Sequence, residues 1–166
     1  MNYFELFGLP IGFQVDTKKL RAAYMEIQKA AHPDKFVQAS AEEQEAALER
    51  SSKANKGFTL LNQKEQILPY VLELIGILKQ DEKYALEPDF LMEMMDLNEA
   101  WMDADEQGKQ AIIEQVEMLK NEIYAPIQRY MEMDQIDAIS QEAMLQIKSY
   151  YYKKKYLDRI LEDFHH

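Results

Sequence analysis

The chain reads as all-α: an antiparallel helical hairpin with flanking helices, followed by a three-helix bundle. Three observations lead there. Ala, Leu, Met, Glu, Gln and Lys, all good helix formers, dominate a chain of 166 residues that holds only five Gly and five Pro. Apolar residues recur at spacings of three, four and seven through most of its length, the signature of one buried face per helix. Start and stop signals, chiefly Asp, Ser, Pro and Gly, stand at the ends of those runs.

Tyr3 to Phe7 form a short apolar helix halted by Gly8 and Pro10. Asp16 caps a second helix to about Ala31, whose inner side carries Leu20, Ala23, Tyr24, Ile27 and Ala31. Its outer side groups Lys18, Arg21, Met25 and Lys29. Ser40 and Glu43 open a third helix in a capping-box pattern, with Ala47, Ala54, Phe58 and Leu61 as its core stripe. The second and third helices should pair antiparallel, and Gly57 inside the third calls for close packing or an earlier helix end. A further helix is expected over Ile67 to Leu78, with Pro69 near its start and Gly76 near its end. The polar run Lys79 to Lys83 reads as a hinge. Beyond it, Pro88 fits the first turn of a helix to about Ala104. Two longer patterns follow over Glu106 to Glu132, interrupted at Pro126, and over Asp134 to Phe164. The expected division is 1–76, a linker at 77–86, and a bundle at 87–166.

Composition narrows the function. With no cysteine, the chain has no disulfide and no thiolate ligand, so no zinc finger, no iron–sulfur cluster of its own and no cofactor is expected. A net charge of −11 disfavours general binding to nucleic acid or anionic membranes. The first residues lack a basic leader, and no apolar run approaches the ~18 residues of a membrane span, so a cytoplasmic location is expected. The terminal His165-His166 pair enters no functional argument.

His32-Pro33-Asp34 is the most informative feature. Proline pushes the preceding residue out of the helical region, so the second helix must end at His32, leaving the histidine and the aspartate in an exposed connection before Ala41. Between residues 17 and 35 five cations face two anions, a local +3 in an acidic chain. A catalytic His32–Asp34 dyad is disfavoured, because no nucleophile elbow or Gly-rich loop accompanies it. No enzymatic activity of the chain itself is expected.

With these elements in order, the first ~75 residues resemble a J-domain, the module that stimulates the ATPase of DnaK-type chaperones. Tyr3-Phe4-Glu5-Leu6-Phe7-Gly8-Leu9 is similar to the family's opening helix. Ala22-Ala23-Tyr24 sits where its second helix carries a tyrosine, and Lys53-Ala54-Asn55 resembles its asparagine-bearing turn. Ala31 departs from the aromatic that usually precedes the histidine, and Lys64 from the proline that often follows the third helix. The resemblance implies that His32, Pro33, Asp34 and Lys35 contact the chaperone, with Lys18, Arg21, Met25 and Lys29 steering the approach.

In the helix after Pro88, Phe90, Met94, Leu97 and Trp101 make a core face, while Leu91, Met92, Met95, Asp96 and Glu99 gather on the other side. Met-rich exposed faces suit adaptable protein binding, although a wide core would also use Leu91 and Met95. The run Phe90 to Glu99 resembles the Phe-Leu-Met-Glu helix of the HscB family, J-type co-chaperones of iron–sulfur cluster assembly, and the resemblance spans nearly the whole chain. It implies a chaperone partner of the HscA class and an iron–sulfur scaffold partner of the IscU class. The scaffold would be bound through Leu91, Met92, Met95, Asp96, Glu99 and Tyr156. A general J-domain protein handing unfolded clients to its chaperone is the alternative. In the last helix Ala143, Ile147, Tyr150, Leu157, Leu161 and Phe164 form the core stripe, leaving Tyr156 to one side. The run Tyr150 to Tyr156 pairs aromatics with lysines, yet core use of Tyr150 and a solvated lysine face explain it better than nucleic acid does.

Overall fold

The computed structural model describes residues 1–165, and among them every regular element is helical. His166 lies outside the described residues. By contact the chain divides into two compact units, Met1–Val71 with Met131–Ala138, and Leu72–Tyr130 with the segment from Ile139 onward.

In the first unit, α1 (Tyr3–Leu6) is capped by the Asn2 side chain, which accepts the Glu5 N–H at 2.9 Å. The helix stops before Gly8, whose φ of +66° lies in the left-handed region that glycine occupies without strain. Helix α2 (Thr17–Ala30) starts on Asp16, whose Oδ1 accepts the Lys18 and Lys19 N–H groups at 3.0 and 3.2 Å. Helix α3 (Ala41–Leu61) starts on Ser40, whose hydroxyl accepts the Glu43 N–H at 3.2 Å. The two helices run antiparallel, as the pairing of Tyr24 with Asn55 and of Gln28 with Ser51 requires. Phe4, Leu20, Ala54 and Val71 are fully enclosed in the core. At Gly57 the Tyr3 ring comes so close that a Cβ would meet its Cδ1 at 2.6 Å, so close packing is the reason for a glycine inside α3.

Helix α4 (Lys64–Leu74) begins three residues earlier than the apolar pattern suggests, which leaves Pro69 in its interior rather than near its start, and it ends before Gly76 instead of reaching Leu78. The polar turn Lys64-Glu65-Gln66 carries no apolar signal, but Gln63 C=O accepts from both Gln66 and Ile67 N–H and so opens the helix there. Gly76, at φ +79°, turns the chain so that the Ile77 and Leu78 amides fold back onto Leu72 C=O at 2.9 and 3.0 Å.

In the second unit, α5 (Pro88–Asp103), α6 (Glu106–Tyr124) and α8 (Gln141–Phe164) pack as a three-helix bundle. Met94, Val116 and Leu157 are wholly buried at its centre, with Phe90, Leu97, Ile112, Ile160 and Leu161 around them. Pro126 breaks the first of the two longer patterns into α6, a 3-10 turn at Ala125–Ile127 and the short α7 (Gln128–Met131). The last helix starts at Gln141, not Asp134. Ser140 caps it by accepting the Ala143 N–H at 3.1 Å, while Ile136 and Ile139 in the preceding loop are both buried at a spacing that imitates a helix. In α8, Met144 and Ile160 join the expected core stripe, whereas Tyr150 and Phe164 are half-buried.

The polar run after α4 is fastened to α8. Glu82 accepts from Lys148 Nζ at 3.0 Å and from the Tyr152 hydroxyl at 2.8 Å, and Lys148 also donates to Ile77 C=O at 2.9 Å. The Tyr84 ring stacks on Tyr152 with centroids 4.3 Å apart. The Lys148 and Tyr152 hydrogen bonds hold the Glu82 carboxyl below the usual glutamate range, the Lys148 bond most of all.

Candidate functional site

The His32 corner is built by the proline that follows it. His32 is extended, with φ −62° and ψ 134°, because the ring of Pro33 excludes the helical conformation. The tripeptide is nonetheless not an irregular loop: Pro33–Phe36 form a 3-10 turn, with Pro33 at its first position, where a missing N–H costs nothing. His32 closes the turn twice. Its carbonyl accepts the Lys35 N–H at 3.0 Å, and its Nδ1 accepts the Asp34 N–H at 3.2 Å. With Nδ1 used as an acceptor, the neutral ring keeps its proton on Nε2, which is left for a partner. The His32 and Asp34 side chains remain 57% and 89% exposed, so neither is held by packing. Lys18, Arg21, Met25, Lys29 and Lys35 are likewise exposed.

Rigidity behind the corner comes from polar contacts between α2 and α3. The Tyr24 hydroxyl donates to Asn55 Oδ1 at 2.6 Å, Gln28 Nε2 donates to the same oxygen at 2.9 Å, and the Ser51 hydroxyl donates to Gln28 Oε1 at 2.8 Å. The Tyr24 ring also stacks on Phe58 at 4.2 Å. Tyr24 and Asn55 therefore hold the hairpin together, and Gln28 and Ser51, which sequence pattern does not single out, complete the clamp. Gln44 Nε2 donates to Phe36 C=O at 2.8 Å, tying the turn to α3. A shallow apolar groove lies alongside, lined by Ala31, Pro33, Phe36, Val37, Ala47 and Leu48 among others. Val37 and Leu48 are 72% and 66% exposed. Their only mark in the sequence is an apolar side chain where a solvated position would take a polar one.

In the second unit, α5 turns Phe90, Met94 and Leu97 inward and leaves Leu91, Met92 and Met95 outside, 38%, 63% and 62% exposed. Asp96 and Glu99 are exposed beside them. Leu91 and Met95 thus do not fill the core. Trp101 is half-buried and stacks on Phe164 at 3.9 Å. Tyr156 is half-buried, its ring edge-on to Phe90 at 6.0 Å, so it joins the rim of the core and keeps part of its surface in solvent. The rest of the Tyr150–Tyr156 run is engaged within the bundle. Burial pushes the Tyr150 hydroxyl up to about 12; burial and then the bond to Glu82 raise Tyr152 further. Lys153 pairs with Glu87 at 3.4 Å and Lys154 with Asp158 at 2.8 Å, and the Lys155 ammonium lies 5.9 Å from the centre of the Tyr151 ring. Among the described residues no helix is long and apolar enough to cross a membrane.

Comparison with known proteins bears on the family and the fold. Residues 86–165 match the family described as the HSCB C-terminal oligomerisation domain. A co-chaperone protein HscB homolog of Shewanella amazonensis is 39% identical over 101 residues, a match that covers 60% of this chain and 58% of that protein. The corresponding protein of Colwellia psychrerythraea is 32% identical over 139 residues, 82% of this chain and 75% of the relative. The structure of chaperone HscB from Vibrio cholerae superposes with a TM-score of 0.73 at 29% identity, covering 99% of this chain and 96% of that one. The likeness therefore extends over an N-terminal J-domain and a C-terminal helical bundle alike. On these grounds the chain belongs to the HscB family of co-chaperones.

Proposed function

We propose that the protein stimulates the ATPase of a DnaK-type chaperone of the HscA class and brings to it an iron–sulfur scaffold protein of the IscU class, assisting cluster maturation and transfer in the cytoplasm. The working parts are a J-domain at 1–76, a linker at 77–86 and a scaffold-binding bundle at 87–166. One observation supports this reading above the others: each unit presents an exposed constellation that its own packing does not require. The first offers a polar corner on a cationic face, suited to an acidic patch of a nucleotide-hydrolysing partner. The second offers an apolar strip edged with carboxylates, suited to a folded client.

In the first, Lys18, Arg21 and Lys29 steer the encounter, with Met25 as an apolar contact between them. Asp34 then accepts a charge-assisted hydrogen bond from the chaperone, while His32, Pro33 and Lys35 fix the corner's shape. In the second, Leu91, Met92 and Met95 bury against the scaffold, Asp96 and Glu99 set its register, and Tyr156 borders the patch. Holding both partners raises the effective concentration of scaffold at the chaperone, and docking shifts the ATPase toward its hydrolysing state. The protein performs no chemistry of its own in this scheme.

The test is the chaperone ATPase rate with this protein, with and without scaffold. Both additions should accelerate hydrolysis, and the pair should exceed either alone. Alanine at Leu91 and Met95 should weaken scaffold affinity by about a hundredfold, because two central apolar anchors are lost, while stimulation without scaffold persists. Equal loss of both activities would overturn this division of labour.

A further inference from the structure

The chain has ten methionines and no cysteine, so thioethers are its only sulfur groups open to peroxide. Their exposure is sharply divided. Met94 and Met144 are 0% and 5% exposed, whereas on α5 Met92, Met95 and Met102 are 63%, 62% and 82% exposed. At 100° per residue these three fall, with Leu91, within about 100° of the helix circumference. The face proposed above to bury against the scaffold therefore carries two sulfurs open to solvent oxidants, while the sulfur that holds α5 in the bundle is shielded.

We propose that Met92 and Met95 form a reversible oxidation site that governs scaffold binding, with Met102 as an oxidisable flank; the inference rests on the scaffold-docking reading of α5. In the step, the thioether sulfur attacks one oxygen of a hydroperoxide. A sulfur–oxygen bond forms, the oxygen–oxygen bond breaks, sulfur loses two electrons, and the leaving oxygen departs as water or alcohol with the proton of the transferred oxygen. The product is a polar sulfoxide in place of a flexible apolar contact. It must be desolvated to enter an apolar interface, and Asp96 and Glu99 offer it no donor, since both are acceptors when ionised. Return to the thioether needs two thiols, which become a disulfide as the sulfoxide oxygen leaves as water. With no cysteine the chain cannot supply them, so reversal depends on a separate thiol-dependent sulfoxide reductase. Because Met94 stays buried, the fold is not altered by the modification.

The full-length protein is treated with hydrogen peroxide, freed of it, and titrated against an untreated scaffold of the IscU class; peptide mass spectrometry assigns the oxidised residues. Met92 and Met95 should oxidise well before Met94 and Met144, and scaffold affinity should fall about tenfold or more with unchanged helical circular dichroism. Methionine sulfoxide reductases A and B with a thiol should restore it. A Met118→Leu variant, which removes an exposed methionine of α6, should lose affinity on oxidation just as the unaltered protein does. Oxidised protein that binds as tightly as untreated protein overturns the inference, as does oxidation of Met94 at the rate of Met92, or protection by Met118→Leu. Untreated protein that fails to bind the scaffold at all sinks the docking reading itself, a distinct result.

Discussion

His32 acts through a ring of fixed geometry. Its Nδ1 reaches the Asp34 N–H at 3.2 Å because the imidazole is short and planar, and the same placement leaves Nε2–H outside. A glutamine could offer both an acceptor and a donor, but on a longer chain with an extra torsion, so no ring would hold the two in this fixed geometry. His32→Gln should therefore bring chaperone stimulation close to the basal rate while stability changes by no more than about 0.5 kcal/mol, as for an exposed site. A stimulated-ATPase assay beside a urea titration checks both. Gly57 poses the opposite case, a residue with no contact chemistry whose absence of a side chain is what matters. Alanine there would gain about 1 kcal/mol of helix propensity but drive a Cβ to 2.6 Å from a Tyr3 ring that is itself stacked on Tyr70. Overpacking of this kind costs about 1–3 kcal/mol, which offsets or exceeds the propensity gain, so Gly57→Ala should leave the protein destabilised by up to about 2 kcal/mol and lower its melting temperature.

At the scale of elements, caps and core stripes were legible and several boundaries were not. Asp16, Ser40 and Pro88 mark helix starts because each meets a local need that does not depend on distant residues. The start of α8 was misread because Ile136 and Ile139 are buried by the fold while lying in a loop, and periodicity cannot tell the two apart. The start of α4 was missed for the converse reason, since its first turn is helical without burying anything. The Glu82 clip was invisible, as its partners lie some seventy residues away in sequence and only the fold joins them. Its acid response follows from sign. Glu82 titrates below its ordinary value in the folded state, so its contribution is complete above the unfolded pKa of about 4.3 and fades as pH drops through the folded value. Asp158 behaves alike, since hydrogen bonds from Lys120 and Lys154 outweigh the burial that would raise it. Stability should therefore decline as pH falls below about 4.3, and Glu82→Gln should flatten part of that decline in denaturant titrations run across the acid range.

For the whole molecule, charge is unevenly shared. A cationic patch of +3 over residues 17–35 sits in a chain of −11, which favours approach to an acidic partner in one orientation and opposes others. The Debye length shrinks from about 10 Å at ~0.1 M salt to about 3 Å at ~1 M, so chaperone stimulation should fall steadily over that range. Arg21→Ala should show lower stimulation and a shallower salt slope in the same ATPase assay. The family itself was legible because its landmarks, the His32 corner and the α5 strip, are short, exposed and chemically distinctive. What pattern could not supply was the clamp made by Gln28 and Ser51 and the groove lined by Val37 and Leu48, both of which exist only once the hairpin has closed.

Residues 131–138, which a reading by sequence order assigns wholly to the C-terminal half, belong by contact to the first unit, where the Asp134 carbonyl would lie 3.2 Å from a Cβ at Gly12. The polypeptide accordingly passes from one unit to the other three times. A protease that nicks the backbone near residue 81 would not by itself release two complete halves, and a gene fragment ending at residue 76 would encode an N-terminal piece stripped of a stretch that belongs to it.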